Sequence, residues 1–176
     1  MTTTTSHSPR SVPGTIAFIG GGNMARSLIG GLVSRGVAAD ALRVAEPVAE
    51  LREALAKDFG VAVFDNASDA VAGTALWLLA VKPQVMRQVC DDLSTVAQSS
   101  KPLVVSIAAG ITATQLQRWL GGDASIIRAM PNTPALLGAG VTGLYANAHV
   151  SAAGRTDAEG LLASAGKTVW IDDEAL

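Results

Sequence analysis

Gly20, Gly22 and Ala25 stand in the spacing G-x-G-x-x-A within "TIAFIGGGNMARSLIGGLVSRG" (residues 15–36), directly after an apolar strand-like run and directly before an apolar helical pattern. That context turns a glycine repeat into a candidate dinucleotide fingerprint. Gly20 permits a tight turn, Gly22 lets backbone approach a pyrophosphate, and Ala25 keeps the helix close to its strand, leaving Gly21 as the variable position. The helix N-terminus then offers free N–H groups and the positive end of its dipole to phosphate.

A second candidate is Glu46 in "VAEP", 26 residues after Gly20, at the end of the next strand-like run. A carboxylate there can accept hydrogen bonds from the ribose hydroxyls of NAD(H) and repel the 2′-phosphate of NADP(H). The alternative is a solvent-exposed acid stabilising the dipole of the helix that begins at Pro47. Three more strand ends carry purposeful residues: "AVKP" (80–83), "IAAG" (107–110) and "RAMPNTPA" (128–135). Small residues there admit a ligand close to backbone, while Pro131 and Pro134 preset the last loop. The plain alternative for "MPNTP" is a turn after a strand.

The elements that must carry these residues follow from the alternation of short apolar runs with longer segments of helical period, the mark of βα units around a parallel sheet. Strands are predicted at 15–20, 42–45, 61–64, 75–80, 103–108 and 125–130, with weaker candidates at 142–146 and 167–171. Pro47 and Pro83 are read as first-turn prolines opening helices, and Thr112 with Gln115 as a capping box. Gly30 and Gly31 inside the first helix point to close helix–sheet packing, and Gly36 to its stop. The expected fold is a Rossmann-type, doubly wound α/β domain over 15–176, with a mainly parallel sheet and helices on both faces. Residues 1–14 are expected to be a disordered tail.

Composition narrows the function classes. The 176 residues are 49% hydrophobic and 16% charged, with a net charge of −2, so there is no basic surface for nucleic acid. No run of 18 apolar residues suggests a membrane span, and a single cysteine, Cys90, in a helical pattern suits a small buried hydrophobe in a reducing cytoplasm. His7 and His149, the only histidines, lie far apart without metal-ligand company, so no metal site is expected. Lys82 is the ionisable residue at the crevice, read as loop support rather than as a proton donor; the catalytic residue is unknown.

With the fingerprint, "AVKP", "SIAAGI" and "RAMPNTPALLGAG" in this order, the chain resembles pyrroline-5-carboxylate reductases from about Thr15 onward. The resemblance implies that Ile19, Gly20, Gly21, Gly22, Asn23 and Met24 contact the phosphates of NADP(H) or NAD(H), with Ala25 behind them. It implies that Ala80, Val81, Lys82 and Pro83 together with Ala108, Ala109 and Gly110 line the nicotinamide side. Met130, Pro131, Asn132, Thr133 and Pro134 become the substrate-side loop. Asn66 matches the family's asparagine near the adenosine ribose phosphate, with a helix N-cap as its alternative role. The implied reaction is hydride transfer to the C=N carbon of 1-pyrroline-5-carboxylate, giving L-proline. Positioning supplies most of such catalysis, because the protonated imine is itself the electrophile.

Family members continue into a helical domain that forms the dimer and completes the substrate site, whereas this sequence stops at "VWIDDEAL". The expectation is therefore a cofactor-binding half, monomeric or weakly associating through a surface that the helical domain would cover. Two other readings compete: a noncatalytic dinucleotide-binding module, and a related reductase such as an F420-dependent NADP oxidoreductase, which "MPNTP" disfavours.

Overall fold

The computed structural model describes residues 14–175; residues 1–13 of the expected 1–14 tail, with His7, lie outside them. Eight strands form one sheet: β1 (Ile16–Ile19), β2 (Leu42–Ala45), β3 (Ala62–Phe64), β4 (Leu76–Leu79), β5 (Leu103–Ser106), β6 (Ser125–Pro131), β7 (Gly140–Ala146) and β8 (Gly166–Trp170). Their spatial order is β3-β2-β1-β4-β5-β6-β7-β8. The first six run parallel, β7 pairs antiparallel with β6, and β8 runs parallel to β7. Strand order reverses at β1, the switch point where an open α/β sheet binds ligands. The expected doubly wound, mainly parallel sheet is observed, and both weaker strand candidates are real, as β7 and β8.

Six α-helices among the described residues cover the sheet: α1 (Asn23–Ser34), α2 (Ala49–Phe59), α3 (Ala67–Val71), α4 (Pro83–Ser100), α5 (Ala113–Trp119) and α6 (Ala152–Leu162). Every residue of β1 and β4 is buried, as befits strands covered on both faces. Ile16, Phe18, Leu76 and Leu78 pack with Leu28, Ile29 and Leu32 of α1, Leu55 of α2 and Leu161 of α6. The alternate residues Ala17, Ile19, Trp77 and Leu79 pack with Val71 of α3, Met86, Cys90 and Leu93 of α4 and Leu116 of α5. Trp77 is fully enclosed, and its indole N–H donates to the Thr74 hydroxyl at 3.0 Å. Burial pushes the Cys90 thiol up to about 12, with the Asp91 charge adding to the shift, so this cysteine behaves as a core residue.

The helix starts follow the sequence signals with one correction. Pro83 opens α4, and Thr112 forms both hydrogen bonds of its capping box with Gln115. Pro47 does not open a helix: Val48 is the N-cap and α2 begins at Ala49, because the chain first turns so that Glu46 can fold back on the glycine loop. Gly36 does stop α1, with φ +93 and its N–H on the Val33 carbonyl. Gly30 and Gly31 admit neighbours other than the sheet. A Cβ on Gly30 would stand 3.1 Å from the Phe59 ring, and one on Gly31 would stand 2.3 Å from Ser164 in the 3-10 turn Ala163–Ala165. Both glycines therefore serve packing of α1 against its flanking elements.

Candidate functional site

The loops after β1, β2, β3 and β4 meet in one cleft of about 670 Å³, at the carboxyl ends of the strands. Its floor is the glycine turn. Gly20 has φ +102, donates its N–H to the Ala45 carbonyl at 2.8 Å, and lies so near β4 that a Cβ would stand 2.5 Å from the Ala80 oxygen. Only glycine satisfies both demands. Gly22, the N-cap of α1, is exposed, and a Cβ there would meet nothing within 4 Å, so its backbone borders open space. No side chain caps α1, and its first turn holds no acidic residue. Uncapped N–H groups beside an exposed glycine suit the pyrophosphate of a dinucleotide.

Gly21 is not the variable position it was expected to be. A Cβ there would lie 2.7 Å from Leu55 Cδ1 and 3.2 Å from Glu46 Cβ, while its N–H donates to Glu46 Oε2 at 2.8 Å. Glu46 in turn is only 7% exposed, which excludes the solvent-exposed helix acid. Its Oε1 accepts from the Val48 N–H at 3.1 Å, and Arg52 donates to its backbone carbonyl at 2.8 Å. The carboxylate thus ties the end of β2 to the glycine turn, and each oxygen keeps a lone pair for a further donor in the cleft.

The cleft beyond Glu46 has apolar walls: Val48 and Leu51 on one side, Val85 and Val89 of α4 on the other. Val48, Leu51 and Val85 are among the exposed large hydrophobic residues of the chain, an arrangement suited to a flat aromatic base. Sequence reasoning missed them; apolar residues just inside two helices that follow strand ends were the available signal. Asp65, Ala67, Ser68 and Asp92 complete this end. Asn66 lines it too and also fills its alternative role, since its Oδ1 accepts the Asp69 N–H at 2.9 Å as the N-cap of α3. Lys82, exposed at the N-cap of α4, is the one cation among the lining residues, against Glu46, Asp65 and Asp92.

Of the sequence candidates, the cleft brings together Ile19, Gly20, Gly21, Gly22, Glu46, Asn66, Ala80, Val81 and Lys82. Asn23 and Pro83 are exposed at helix starts outside its lining, Met24 packs on the core, and Ala25 is buried in it. Ala108, Ala109 and Gly110 follow β5, one strand further along: Ala108 is buried, its N–H on the Ser106 hydroxyl, and Ala109 and Gly110 are exposed. "MPNTP" is only partly a loop, because Met130 and Pro131 belong to β6 and pair with Gly143 and Thr142. Asn132 then closes the turn by accepting the Val141 N–H at 3.0 Å. Thr133 and Pro134 begin a 3-10 turn to Leu137, whose Leu136 carbonyl accepts from Ser27 of α1 at 2.8 Å. His149 is exposed beside Gln117, and no metal-binding cluster occurs among the described residues. No described helix is long and apolar enough to cross a membrane.

Comparison with known proteins agrees with this geometry. Residues 15–110, from β1 through the loop after β5, match the family described as NADP oxidoreductase, coenzyme F420-dependent. The chain belongs to that family. It is 50% identical over 160 residues to the pyrroline-5-carboxylate reductase of Pseudomonas aeruginosa, covering 91% of this chain and 58% of the relative. It is 46% identical to that of Haemophilus influenzae, covering 90% and 58%. The solved pyrroline-5-carboxylate reductase of Coxiella burnetii superposes with a TM-score of 0.89 at 34% identity, covering 92% of this chain and 60% of that one. The chain thus spans about three fifths of the length of these relatives. They are pyrroline-5-carboxylate reductases, as the ordered strand-end motifs suggest.

Proposed function

We propose that this chain is the dinucleotide-binding part of a pyrroline-5-carboxylate reductase, acting in reduction of 1-pyrroline-5-carboxylate to L-proline. The observation that carries the reading is the convergence of the glycine turn, Glu46 and "AVKP" on one cleft at the switch point, in a chain half identical to an enzyme of that name. The residues present fit a nicotinamide dinucleotide. The phosphates belong at Gly20, Gly22 and the uncapped start of α1, the adenosine between Val48, Leu51 and Val85, and the ribose hydroxyls beside Glu46. When bound, the dinucleotide supplies the hydride.

The protein's part is positioning. With adenosine on the β2–β3 side, the nicotinamide half belongs across the switch point, over Ala80–Lys82 and toward Ala109 and Gly110. The rigid turn at Pro131–Pro134 then faces the place for substrate, held by Asn132 and by Ser27 of α1. No proton donor is assigned, in keeping with a substrate that reacts as its iminium. We place the protein in the cytoplasm, with a small-molecule substrate and with neither nucleic acid nor membrane as partner.

The test is to mix the chain with NADH or NADPH and 1-pyrroline-5-carboxylate and follow nicotinamide absorbance. Turnover establishes an autonomous enzyme. Binding without turnover leaves a dinucleotide-binding module that needs further sequence to act, and absence of binding overturns the whole reading.

A further inference from the structure

The segment after β8 does something that neither the glycine fingerprint nor the cleft explains. β8 is the sheet edge, two strands from β6, yet Glu174 reaches back past β7. Its Oε1 accepts from Arg128 Nη1 at 3.1 Å and from the Ala113 N–H at 2.5 Å. Arg128, on β6, is buried at 8% exposure, a position in which a guanidinium needs a partner, and Glu174 is its ion-pair partner. Arg128 pairs in register with Ser106, whose hydroxyl accepts the Ala108 N–H. Ala113 is the first residue of α5, directly after the capping residue Thr112.

One carboxylate therefore bonds the backbone just past the finish of the Ile107–Thr112 loop, at Ala113, and pairs with Arg128, whose strand β6 lies in register beside Ser106 at the end of β5, where the loop starts. We propose that Glu174 is a positioning residue that, through Arg128 and Ala113, holds the loop Ile107–Thr112 in place for the nicotinamide end of the bound dinucleotide. The proposal rests on the dinucleotide reading and deepens it. The segment after β8 becomes a strap between the edge of the sheet and the hydride-transfer side of the crevice. Its effect is expected on that side, because both hydrogen-bond partners of Glu174, Arg128 and Ala113, lie outside the lining of the cleft proposed for adenosine.

The test compares two probes on the full chain: NADH, and ADP-ribose, which lacks the nicotinamide ring. For Glu174→Gln we expect ADP-ribose affinity to stay within about twofold of wild type while NADH affinity falls about fivefold or more. The fluorescence of saturating bound NADH should also lose enhancement, as the ring is less firmly held. Glu174→Asp, which keeps the negative charge beside Arg128, should restore part of both signals. Unchanged ADP-ribose binding shows that the variant is folded. Equal weakening of both probes, or no change in either, overturns the proposal; a wild-type chain that binds neither probe overturns the dinucleotide reading and the strap with it.

Discussion

Two regions along the carboxyl edge of the sheet, the cleft and the loops after β5 and β6, are built on different principles. Around the cleft, the wall consists of side chains aimed into space: Val48 and Leu51 on the β2–β3 side and Val85 of α4 facing them lie open, Glu46 turns inward, and Asn66 and Asp65 close the end. On the β5–β6 side, the loops are instead tied into the fold, Ala108 to Ser106, Asn132 to Val141, Leu136 to Ser27, and Ala113 to Glu174. The first side is shaped for a ligand that brings its own aromatic surface. The second offers hydrogen-bonded backbone, which suits the positioning role proposed for it. It also leaves Leu137, Val141 and Val169 exposed near that loop, where the β2–β3 side directs its exposed apolar residues into the cleft.

The glycine turn between the two sides gives the largest expected effect. Gly20→Ala adds a Cβ at φ +102 and drives it onto the Ala80 carbonyl, so we expect a loss of about 3 kcal/mol in urea unfolding and no measurable dinucleotide binding. Gly22→Ala separates function from fold. Its Cβ meets nothing within 4 Å, so stability should stay within about 0.5 kcal/mol while dinucleotide affinity drops about tenfold in titrations, the methyl standing where phosphate approaches. If Gly22→Ala binds like wild type, the pyrophosphate does not lie over the start of α1.

Glu46→Ser tests the ribose end with a smaller effect. Removing one negative charge from this end should raise affinity for NADPH relative to NADH by about fivefold, the order of 1 kcal/mol for a single like charge acting across an open cleft. The same change leaves the Gly21 and Val48 N–H groups without their present acceptor, so stability should fall by about 1–2 kcal/mol. An unchanged NADPH to NADH ratio together with the stability loss would mean that Glu46 serves the turn alone.

Much of this architecture was legible in the sequence because its signals are local. Strand-length apolar runs, the glycine spacing, Pro83 at a first turn and the Thr112–Gln115 box each depend on neighbours within a few residues, and each is realised. The expectations that failed depend on distant partners. Crowding at Gly21 comes from Leu55, the neighbour of Gly31 is Ser164, and the late start of α2 follows from a bond between Glu46 and Gly21. The same reason hid Glu174, which lies 61 residues from Ala113 and 46 from Arg128 and shows no pattern of its own. Periodicity placed the helices that carry Leu51 and Val85, but only the assembled cleft turns those exposed apolar residues into walls.

The mildest test sets one helix cap against another across the switch point. Asn66 caps α3 and Thr112 caps α5, each through a side-chain oxygen that accepts the backbone N–H three residues on. Replacing either by alanine removes one such acceptor, and each change should cost about 1 kcal/mol of stability. Their ligand effects should differ because their surroundings differ: Asn66 lines the cleft proposed for adenosine, whereas Thr112 ends the loop next to Ala113, the residue that Glu174 bonds. Asn66→Ala should therefore weaken ADP-ribose and NADH alike, by about threefold, the order expected for one lost polar contact. Thr112→Ala should spare ADP-ribose and weaken NADH by a smaller factor than Glu174→Gln, since the Glu174 bond to Ala113 remains. Parallel losses from both caps would show that the two sides of the crevice act as one unit, and would remove the distinction between an adenosine wall made of side chains and a nicotinamide wall made of braced backbone.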